Sequence, residues 1–515
     1  RYRAPFAGAV GALAGIGLAE LVAGVIGAPS LLAAIGGFVI DSQPPGAKDD
    51  AGALFGTNDK LALELFIVVV ATAIGAVLGI LAVRRSLLLA VAGFGAFAVA
   101  GFFASLRSSI AMPTTSLVVA LVAGIGGAQV MSYLLRAAGA GRTASGGPVR
   151  VVMADWSRRS FLVRAGAIAV ASSAAGVLGR RLLEGPPAAV VGGGTGGGST
   201  ALPAPVERAT LPAAAEISQP GLTPLVVPNH TFYRIDTALI SPNVDVAGWR
   251  LRVHGMVDRE TVLTYADLAE LPLVEQYVTI SCVSNEVGGN LVGNAKWTGV
   301  RLRDVLAMAG VQAGATQLVG RSVDGWTAGM PTAWIMDPSR EPLIALLMND
   351  VPLPRAHGFP ARLIVPGLYG YVSATKWLSE LELTTLEGFD GYWVPLGWAK
   401  EAPILTQSRI DVPRHGQVLP PGPVAIAGVA WAPDRGIAKV EVAIDGQWRE
   451  AKISTPISDA TWVQWLVAWD PPAGPGTHTI EVRATDGRGE VQTADRTTPA
   501  PDGARGHHTI QVTVT

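Results

Sequence analysis

Five runs of apolar residues in the first 183 positions constrain the fold of this chain more than any other feature. Each is close to the roughly 20 residues that a helix needs to cross the hydrocarbon core of a bilayer. The runs cover residues 7–27, 61–83, 86–106, 115–135 and 161–178. A further run at residues 30–40 is too short to span and is expected at the interface or as a re-entrant segment. The sequence therefore predicts an α-helical transmembrane bundle of about five helices over residues 1–183.

Basic residues are distributed unevenly around these runs. They lie before the first run, between the second and third, and between the fourth and fifth, as Arg1, Arg3, Arg84, Arg85, Arg136, Arg142, Arg150, Arg158 and Arg159. The loop at 41–60 is mostly acidic. Short loops rich in Lys and Arg stay in the cytoplasm. This distribution predicts a multi-pass protein of the plasma membrane, with everything after residue 183 on the extracytoplasmic side.

The residues before the fifth run have a second feature. Residues 157–162 read SRRSFL and precede a weakly hydrophobic segment, a pattern that resembles a twin-arginine export signal. Such export carries folded proteins, and a cofactor inserted in the cytoplasm would require it. The alternative is an ordinary basic cluster beside a membrane helix.

Charge and histidine positions exclude some classes of function. The formal net charge is −1, so there is no electrostatic argument for nucleic-acid binding. All seven histidines lie outside the apolar runs, which excludes a bis-histidine haem in the membrane part. Two carboxylates, Glu20 and Glu64, lie in or at the edge of the runs, and intramembrane carboxylates are candidates for function. Glu64 lies near the start of a run and is expected to reach the interface, so Glu20 is the better candidate.

Three further segments follow the apolar part. Residues 184–215 are rich in Gly, Pro and Ala and predict a flexible tether. Residues 216–400 alternate short β-type runs with short helical ones, which favours an α+β domain with a mixed sheet. Residues 403–515 contain about seven alternating runs separated by Asp-Gly turns, which favours a β-sandwich. The fold class is therefore multidomain.

Cys282 is the only cysteine in the chain. It follows a β-type run at 277–280 and precedes a Gly/Asn-rich loop, so we expect its thiol at the end of a strand, facing a cavity. A lone cysteine cannot form an internal disulfide. Taken alone, a free cysteine such as Cys282 is more often simply a small buried apolar residue.

Several clusters around Cys282 together carry a family resemblance. They are PNHTFYR at 228–234, SCV at 281–283, WTGVRL at 297–302, DGWTAGMP at 324–331 and LLMNDVPLPRAHGFPARLIVPGLYGYVSATKWLSELEL at 346–383. In these residues the chain resembles the sulfite oxidase family of molybdopterin enzymes, over about residues 216–515. The resemblance implies a molybdopterin-binding α+β domain, followed at 403–515 by the family's immunoglobulin-like dimerisation domain. A homodimer is one expectation, although a membrane anchor can substitute for it.

The resemblance also implies roles for individual residues. It makes Cys282 the molybdenum ligand, and a soft thiolate suits such a redox metal. The pterin and its phosphate would be held by Asn229, His230, Tyr233, Arg234, Ser322, His357, Arg362, Ser373 and Lys376. A guanidinium such as that of Arg362 can bind phosphate through two parallel hydrogen bonds.

Two departures from the family pattern bear on the substrate. Sulfite-oxidising members have arginines shortly after the metal cysteine and just before the Asn-His pair, where this chain has Glu286, Val287 and Pro228. Trp326 stands where the family usually has tyrosine, and an indole donates a hydrogen bond but cannot shuttle a proton. An anionic sulfite would therefore lose its cationic clamp. We expect a sulfoxide or an N-oxide instead, with Glu286 and Trp326 joining Cys282 as catalytic candidates and Glu286 as a proton relay or substrate contact.

The sequence thus predicts a membrane-anchored oxidoreductase that moves an oxygen atom to or from a small molecule. Because no haem or iron–sulfur ligand set is visible, electrons would pass to a separate carrier, a quinone or a cytochrome. One alternative is a non-catalytic scaffold that keeps the cofactor fold and binds a respiratory or envelope partner. Another is a cysteine hydrolase, which needs a His–acid pair near Cys282, and no local signature supports one.

Overall fold

The computed structural model describes residues 2–43, 59–106, 112–137, 158–185, 202–472 and 474–515. These residues form two compact units. The first contains the described residues up to 185 together with Thr237–Asn243, and the second contains the rest. Most of the acidic loop, Ser157 of the export-like pattern and the central part of the predicted tether lie outside the described residues.

The first unit is helical. Its described helices are α1 (Arg3–Ile26), α2 (Leu31–Asp41), α3 (Asp59–Arg84), α4 (Leu87–Ser105), α5 (Pro113–Ala137) and α6 (Arg158–Glu184). Five of these six are long and apolar enough to cross a membrane. The remaining helix, α2, has 11 residues and corresponds to the apolar run that is too short to span. The predicted runs therefore coincide with the helices.

Helix α1 lies against α3, α5 and α6 through small residues. A Cβ atom built on Gly8 would lie 1.9 Å from the carbonyl oxygen of Gly75 on α3, and one built on Gly17 would lie 2.1 Å from that of Ser172 on α6. Close backbone approach at small residues is the common way in which membrane helices associate. No larger residue fits at these two positions.

The segment Thr237–Asn243 packs with the helices although it is distant from them in sequence. Lys60 donates to the carbonyl oxygen of Ala238 at 2.8 Å, and Arg180 donates to that of Leu239 at 3.0 Å. Arg180 also forms an ion pair with Glu64 at 2.8 Å. Glu64 therefore has a basic partner inside the helical unit.

The second unit begins with an α+β domain. Its strands are β1 (Arg250–Gly255), β2 (Thr261–Thr264), β3 (Leu273–Ser281), β4 (Val292–Arg301), β5 (Gln317–Ser322), β6 (Thr327–Pro331), β7 (Leu343–Met348), β8 (Val351–Pro352), β9 (Arg362–Ile364) and β10 (Leu378–Thr384). One sheet has the order β2-β1-β10-β5-β6, and the other has the order β3-β4-β7-β8 with β9 on β7. Since β1 and β10 run parallel while their other neighbours are antiparallel, the first sheet is mixed, as predicted.

Short helices connect these strands: α7 (Tyr265–Glu270), α8 (Leu302–Ala309), α9 (Thr332–Met336) and α10 (Gly370–Ser373). Helix α7 begins with a reciprocal cap. The Thr264 hydroxyl accepts from the Asp267 amide at 3.1 Å, and the Asp267 carboxylate accepts from the Thr264 amide at 2.7 Å. This arrangement satisfies two amides that a helix start otherwise leaves unpaired.

The end of the chain is a β-sandwich. Its strands are β11 (Gln407–Val412), β12 (Val418–Leu419), β13 (Val424–Trp431), β14 (Ile437–Ile444), β15 (Gln447–Glu450), β16 (Lys452–Ile453), β17 (Val463–Trp469), β18 (Gly476–Asp486) and β19 (His508–Val514). They form two sheets, of order β11-β13-β17-β16 and β12-β19-β18-β14-β15. Asp445 and Gly446 join β14 to β15 with φ values of 50° and 81°, the backbone that a tight hairpin turn requires.

The sandwich holds the strand that leads to Cys282. The Thr279 amide on β3 donates to the Ala460 carbonyl at 2.9 Å, and the Trp462 amide donates to the Thr279 hydroxyl at 2.8 Å. The indole of Trp462 donates to the carbonyl oxygen of Leu225 at 2.9 Å. Since Thr279 and Trp462 are fully buried, these bonds form away from water.

Replacing Thr279 by valine tests this attachment. The Thr279→Val variant keeps the side-chain shape but leaves the buried Trp462 amide without its acceptor, which costs about 1–3 kcal/mol. We expect a loss of that size in the unfolding free energy of the solubilised protein, followed by tryptophan fluorescence. The matched control is Thr509→Val on an exposed position of β19, and equal losses in both variants would contradict the assignment.

Candidate active site

Cys282 occupies the first position of the loop that joins β3 to β4. The last paired residues of the two strands are Ser281 and Val292. The Cys282 amide donates to the Leu291 carbonyl at 2.9 Å, and the side chain of Asn285 accepts from the Leu291 amide at 2.7 Å. The Cys282 residue is 8% exposed. The predicted position at a strand end is therefore confirmed, and the loop closes on itself behind the thiol.

Two tyrosines lie near this thiol. Burial raises the pKa of Tyr233, and the charge of a Cys282 thiolate raises it further. Burial and the same thiolate also raise the pKa of Tyr369. A Cβ atom built on Gly370, the first residue of α10, would lie 3.6 Å from the Ser281 carbonyl oxygen and 4.0 Å from the Tyr233 hydroxyl. Both phenols therefore stay protonated at neutral pH beside Cys282.

A cluster of buried basic residues adjoins Tyr233. Arg362 is 3% exposed, donates to the His357 carbonyl oxygen at 3.0 Å, and stacks on the Trp297 ring, whose centroid lies 5.1 Å from its guanidinium carbon. Lys376 donates to the Asp236 carboxylate at 2.9 Å and to the Ala356 carbonyl at 3.1 Å. We call Arg362, Lys376 and His357 the basic cluster.

Burial changes the protonation of this basic cluster. It lowers the pKa of Arg362 to about 10 and that of Lys376 to about 8, so both remain mostly charged at neutral pH. Burial, followed by the charge of Lys376, lowers the pKa of His357 to about 4, so this ring is neutral. Asp236 partly offsets the two cations, and it also pairs with Arg234 at 3.0 Å. Positive charge remains in excess here.

Two nitrogen atoms of the basic cluster are buried without a hydrogen-bond partner among the described residues. They are Nε of Arg362 and Nδ1 of His357. The other ring nitrogen of His357 lies 2.8 Å from the Asn229 carbonyl oxygen. Because a carbonyl only accepts, Nε2 carries the hydrogen, and Nδ1 of the neutral ring has an unused lone pair. Unpaired buried polar atoms are uncommon in folded proteins, and a bound polar ligand, an ion or a water can satisfy them.

Gly358 brings the two cations of the basic cluster together. Its φ of 114° is a conformation that side chains rarely adopt, and an added Cβ would lie 3.1 Å from both the Arg362 side chain and the Lys376 backbone. The Trp377 amide donates to the Gly358 carbonyl at 3.2 Å. The chain before Arg362 and the chain around Lys376 therefore run side by side at a distance that only glycine allows.

The remaining predicted residues have varied surroundings. The Asn229 side chain donates through Nδ2 to the Met348 carbonyl at 3.0 Å, and its Oδ1 accepts from Nδ2 of Asn349 at 2.7 Å. The Ser373 hydroxyl donates to the Tyr369 carbonyl at 2.9 Å. Both side chains thus hydrogen-bond to protein groups and shape the site. His230 and Glu286 are exposed, so neither lies in the buried basic cluster.

The turn that contains Ser322 and Trp326 lies beside the basic cluster. The Ser322 hydroxyl accepts from the Asp324 amide at 3.4 Å, and the Asp324 carboxylate accepts from the Trp326 amide at 3.1 Å. Burial raises the pKa of Asp324, which also senses the charges of Asp236 and Lys376. Trp326 is half-buried in this turn.

Comparisons with known proteins agree with this geometry. Residues 238–393 match the family described as "Oxidoreductase molybdopterin binding domain", and residues 407–482 match "Bacterial Ig domain". Human mitochondrial sulfite oxidase is 32% identical over 315 residues, covering 52% of this chain and 57% of that protein. The "Uncharacterized oxidoreductase YuiH" of Bacillus subtilis is 34% identical over 154 residues, covering 30% of this chain and 74% of that protein. The chain belongs to the sulfite oxidase family of molybdopterin oxidoreductases.

A third relative is matched over a smaller share of its length. The nitrate reductase [NADH] of Hordeum vulgare is 28% identical over 308 residues, which cover 48% of this chain and 34% of that protein. The chain spans little more than half the length of the human sulfite oxidase that it matches.

The residues of the site fit the cofactor of the sulfite oxidase family, molybdenum held by molybdopterin. Cys282 offers a soft thiolate of the kind that suits a redox metal, and among the described residues no group of three or more His, Cys, Asp and Glu side chains is arranged to hold a metal ion by itself. The excess positive charge of Arg362 and Lys376 suits a phosphate. The unpaired nitrogens of Arg362 and His357 are available for polar groups of the same cofactor.

Sequence reasoning missed several residues of this site. Asp236, which joins Lys376 to Arg234, was not predicted, although its position two residues after Arg234 is a usable signal. Asn349 adopts a φ of 51° and holds the Asn229 segment, and Trp297 stacks on Arg362. Tyr369 lies near the thiol. Asn349, Trp297 and Tyr369 belong to motifs that carry the resemblance, but the kind of amino acid at each position did not indicate these contacts.

The sandwich also fixes the loop that contains Glu286. Arg409 on β11 donates to the Gly289 carbonyl at 2.8 Å and pairs with Asp411 at 2.6 Å. A Cβ atom on Gly288 would lie 2.3 Å from the ring of His508, and Gly288 has a φ of 80°. The loop after Cys282 therefore depends on the C-terminal domain for its shape.

The low pKa of His357 predicts an acid-sensitive stability of the pterin-free protein. The unfolded chain takes up a proton near pH 6.5 and the folded one near pH 4, so stabilisation is complete above 6.5 and is lost as the pH falls towards 4. The loss is at most about 3 kcal/mol, at 1.36 kcal/mol per pKa unit. The His357→Gln variant should lose less stability between pH 7 and pH 4.5 in denaturant unfolding.

Two features make this measurement specific. His508, whose pKa burial also lowers to about 4, is present in both the wild type and His357→Gln and contributes the same background to these two proteins. The matched control is His415→Gln at an exposed position, which should follow the wild type. A pH dependence that is unchanged in His357→Gln would show that His357 is not the group responsible.

Proposed function

We propose that this protein is a membrane-anchored molybdenum oxidoreductase that transfers an oxygen atom to or from a small substrate outside the cytoplasm. The observation that carries the proposal is the placement of a buried cysteine at a strand end, beside two tyrosines and next to the basic cluster. When bound, the molybdenum supplies the oxygen-atom transfer and its two-electron change. The chain supplies binding, orientation and electrostatics.

Each group of residues has a separate task in this proposal. The Cys282 thiolate holds the metal, and binding requires its deprotonated form. Arg362, Lys376 and His357 hold the phosphate and pterin. Tyr233 and Tyr369, whose pKa values burial raises, keep their hydroxyl hydrogens at neutral pH and can donate to a substrate oxygen. The half-buried Trp326 is a further donor at this site.

Several features support location at the membrane. Five described helices are long and apolar enough to cross it. The distribution of arginines favours an extracytoplasmic position for the catalytic domain, and the pattern SRRSFL at 157–162 favours twin-arginine export of a protein that has already received its cofactor.

The substrate is inferred from charge. The human and barley relatives are a sulfite oxidase and a nitrate reductase by name, and both names point to anionic substrates. In this chain Glu286, Val287 and Pro228 stand where cationic clamps for sulfite are expected, and Glu286 is exposed in the loop after Cys282. A negative charge in that loop repels an anion, which favours a sulfoxide or an N-oxide.

The electrons require a partner. The chain has one cysteine, so it cannot hold an iron–sulfur cluster through four thiolates. We propose a separate carrier, either a quinone or a cytochrome. The immunoglobulin-like domain is compatible with a homodimer of this chain.

Metal and pterin analysis of two variants tests the proposal. The full-length wild type should contain close to one molybdenum per chain by elemental analysis. Cys282→Ser should lose the metal and all activity while pterin remains bound, because the basic cluster is intact. Arg362→Met should lose both metal and pterin. The control is Arg252→Met on β1, where Arg252 forms an exposed ion pair with Glu260, and this variant should keep both. Wild-type protein that stays free of molybdenum in a replete host, yet binds a stable partner, would favour the scaffold alternative.

Substrate preference is tested at Glu286. Wild-type turnover of sulfoxides or N-oxides with a reduced dye should exceed sulfite oxidation at least tenfold. Glu286→Arg should raise kcat/KM for sulfite about tenfold, equivalent to about 1.4 kcal/mol, because a cation replaces a repelling carboxylate. Glu387→Arg makes the same charge change at another exposed position and should leave the ratio unaltered. A wild type that prefers sulfite would overturn the substrate assignment.

A further inference from the structure

Glu20 is a buried carboxyl group in α1 whose two oxygens have different surroundings. It lies six residues before the end of the helix, or about 9 Å at 1.5 Å per residue, and is 4% exposed. Oε1 accepts from the Ser30 hydroxyl at 2.9 Å and from the Leu32 amide at 3.1 Å. Oε2 is buried and has no hydrogen-bond partner among the described residues.

A structural role accounts for only one of these oxygens. Ser30 precedes α2, and its hydroxyl also accepts from the Ala33 amide at 3.0 Å. Through Oε1, Glu20 therefore stabilises the start of α2, where the helix dipole favours negative charge. This contact leaves Oε2 unpaired, and an unpaired buried carboxylate oxygen is costly. A carboxylate within an apolar helix is a candidate functional group for the same reason.

Glu20 lines a cavity of about 220 Å³ in the helical unit. The other lining residues are almost entirely apolar and come from α1, α2, α3, α4 and α5, with Ile16, Leu31, Ile67, Val70, Phe94 and Phe97 among them. An apolar cavity of about 150 Å³ is enough to admit benzene. This cavity therefore has room for a substituted aromatic ring.

The cavity can be reached from the surface of the helical unit that is predicted to face lipid. Three of its lining residues are also exposed on the outside of this unit, namely Phe66 at 63%, Val70 at 38% and Phe97 at 36%. A lipid-soluble molecule can approach such residues without crossing a polar region.

We infer that this cavity binds a lipid-soluble quinone or hydroquinone, with one ring oxygen hydrogen-bonded to Oε2 of Glu20. An ionised carboxylate accepts from a hydroquinone hydroxyl, and a protonated one donates to a quinone carbonyl. The apolar walls match the ring and its tail. An acyl chain has no polar group for Oε2, and a phospholipid headgroup has a phosphate that a carboxylate repels.

The role of this ligand, though not its binding, rests on the proposed function. Oxidation of a hydroquinone to a quinone releases two electrons and two protons, and reduction of a sulfoxide or an N-oxide, whose oxygen atom leaves as water, consumes the same numbers. The occupant of the cavity would then be the separate electron carrier of the quinone class.

Photolabelling of the full-length protein in phosphatidylcholine nanodiscs tests the site. The probe is a short-chain azidobenzoquinone, with decylubiquinone as the competitor and peptide mapping as the readout. We expect saturable, competed labelling on peptides from α1 to α4. Glu20→Leu removes the polar atom at similar volume, and Ala71→Phe fills the cavity but leaves the Glu20–Ser30 contact. Each should weaken labelling at least tenfold, whereas Glu64→Gln, at a carboxylate paired with Arg180 instead of lining the cavity, should not.

The outcomes separate the two hypotheses. Equal labelling of the wild type, Glu20→Leu and Ala71→Phe, or labelling that never saturates, reflects partition into the bilayer and overturns the site. Molybdenum content is measured on the same samples. Full metal content without quinone labelling refutes this site alone, and saturable labelling of protein that never takes up molybdenum refutes the proposed function alone.

Discussion

The burial of more positive than negative charge in and around the basic cluster is the constraint on which the rest of the second unit depends. Arg362 is 3% exposed and Lys376 is 9% exposed, and burial lowers the pKa of each. A lowered pKa means that the folded protein disfavours these charges relative to water. Asp236 offsets only part of that cost. The arrangement is stable when an anion completes it, and binding of a phosphate would then stabilise the folded domain by mass action.

This constraint explains why so much of the chain supports a few side chains. Gly358 allows the strand with Arg362 and the segment with Lys376 to approach, and the Trp297 ring covers the guanidinium. Asn349 takes a left-handed conformation and bonds to Asn229, whose carbonyl in turn fixes the ring of His357. Without these contacts the basic side chains would gain hydration by turning outward. The charged forms of these side chains are more stable in water than in the protein interior. The surrounding backbone must therefore hold them in place.

The C-terminal domain supplies a second set of constraints, on the thiol instead of the cations. Thr279, three residues before Cys282, forms hydrogen bonds with Ala460 and Trp462. Arg409 and His508 pack on the loop after Cys282. Both sides of Cys282 thus depend on residues that lie more than a hundred positions later in the chain. The sandwich is therefore part of the active-site scaffold, whether or not it also pairs with a second copy.

Local patterns predicted the elements but not the contacts between them. The apolar runs predict α1 and α3 to α6 because helix length in a bilayer is a property of the run itself. The position of Cys282 at a strand end follows from the β-type residues before it. By contrast, Asp236 looks like an ordinary partner of Arg234, and Arg409 looks like a surface arginine on a strand. Their roles arise from tertiary packing, which leaves no periodic signal. Asn229 and Ser373 stay predicted cofactor contacts, and their hydrogen bonds to Met348, Asn349 and Tyr369 likewise arise from tertiary packing.

Glu20 and Glu64, the two carboxylates of the apolar helices, show how the same residue type acquires different chemistry from its neighbours. Glu64 meets Arg180, so its charge is offset and it joins the helix ends to the segment Thr237–Asn243. Oε1 of Glu20 accepts from a hydroxyl and an amide, and Glu20 also lines an apolar cavity. An ion pair makes the first a structural residue. The absence of a described partner for Oε2 leaves the second able to select a ligand that carries a single polar group. The positions of the two residues in their apolar runs indicated that Glu20 is the better candidate, but not which partners each carboxylate has.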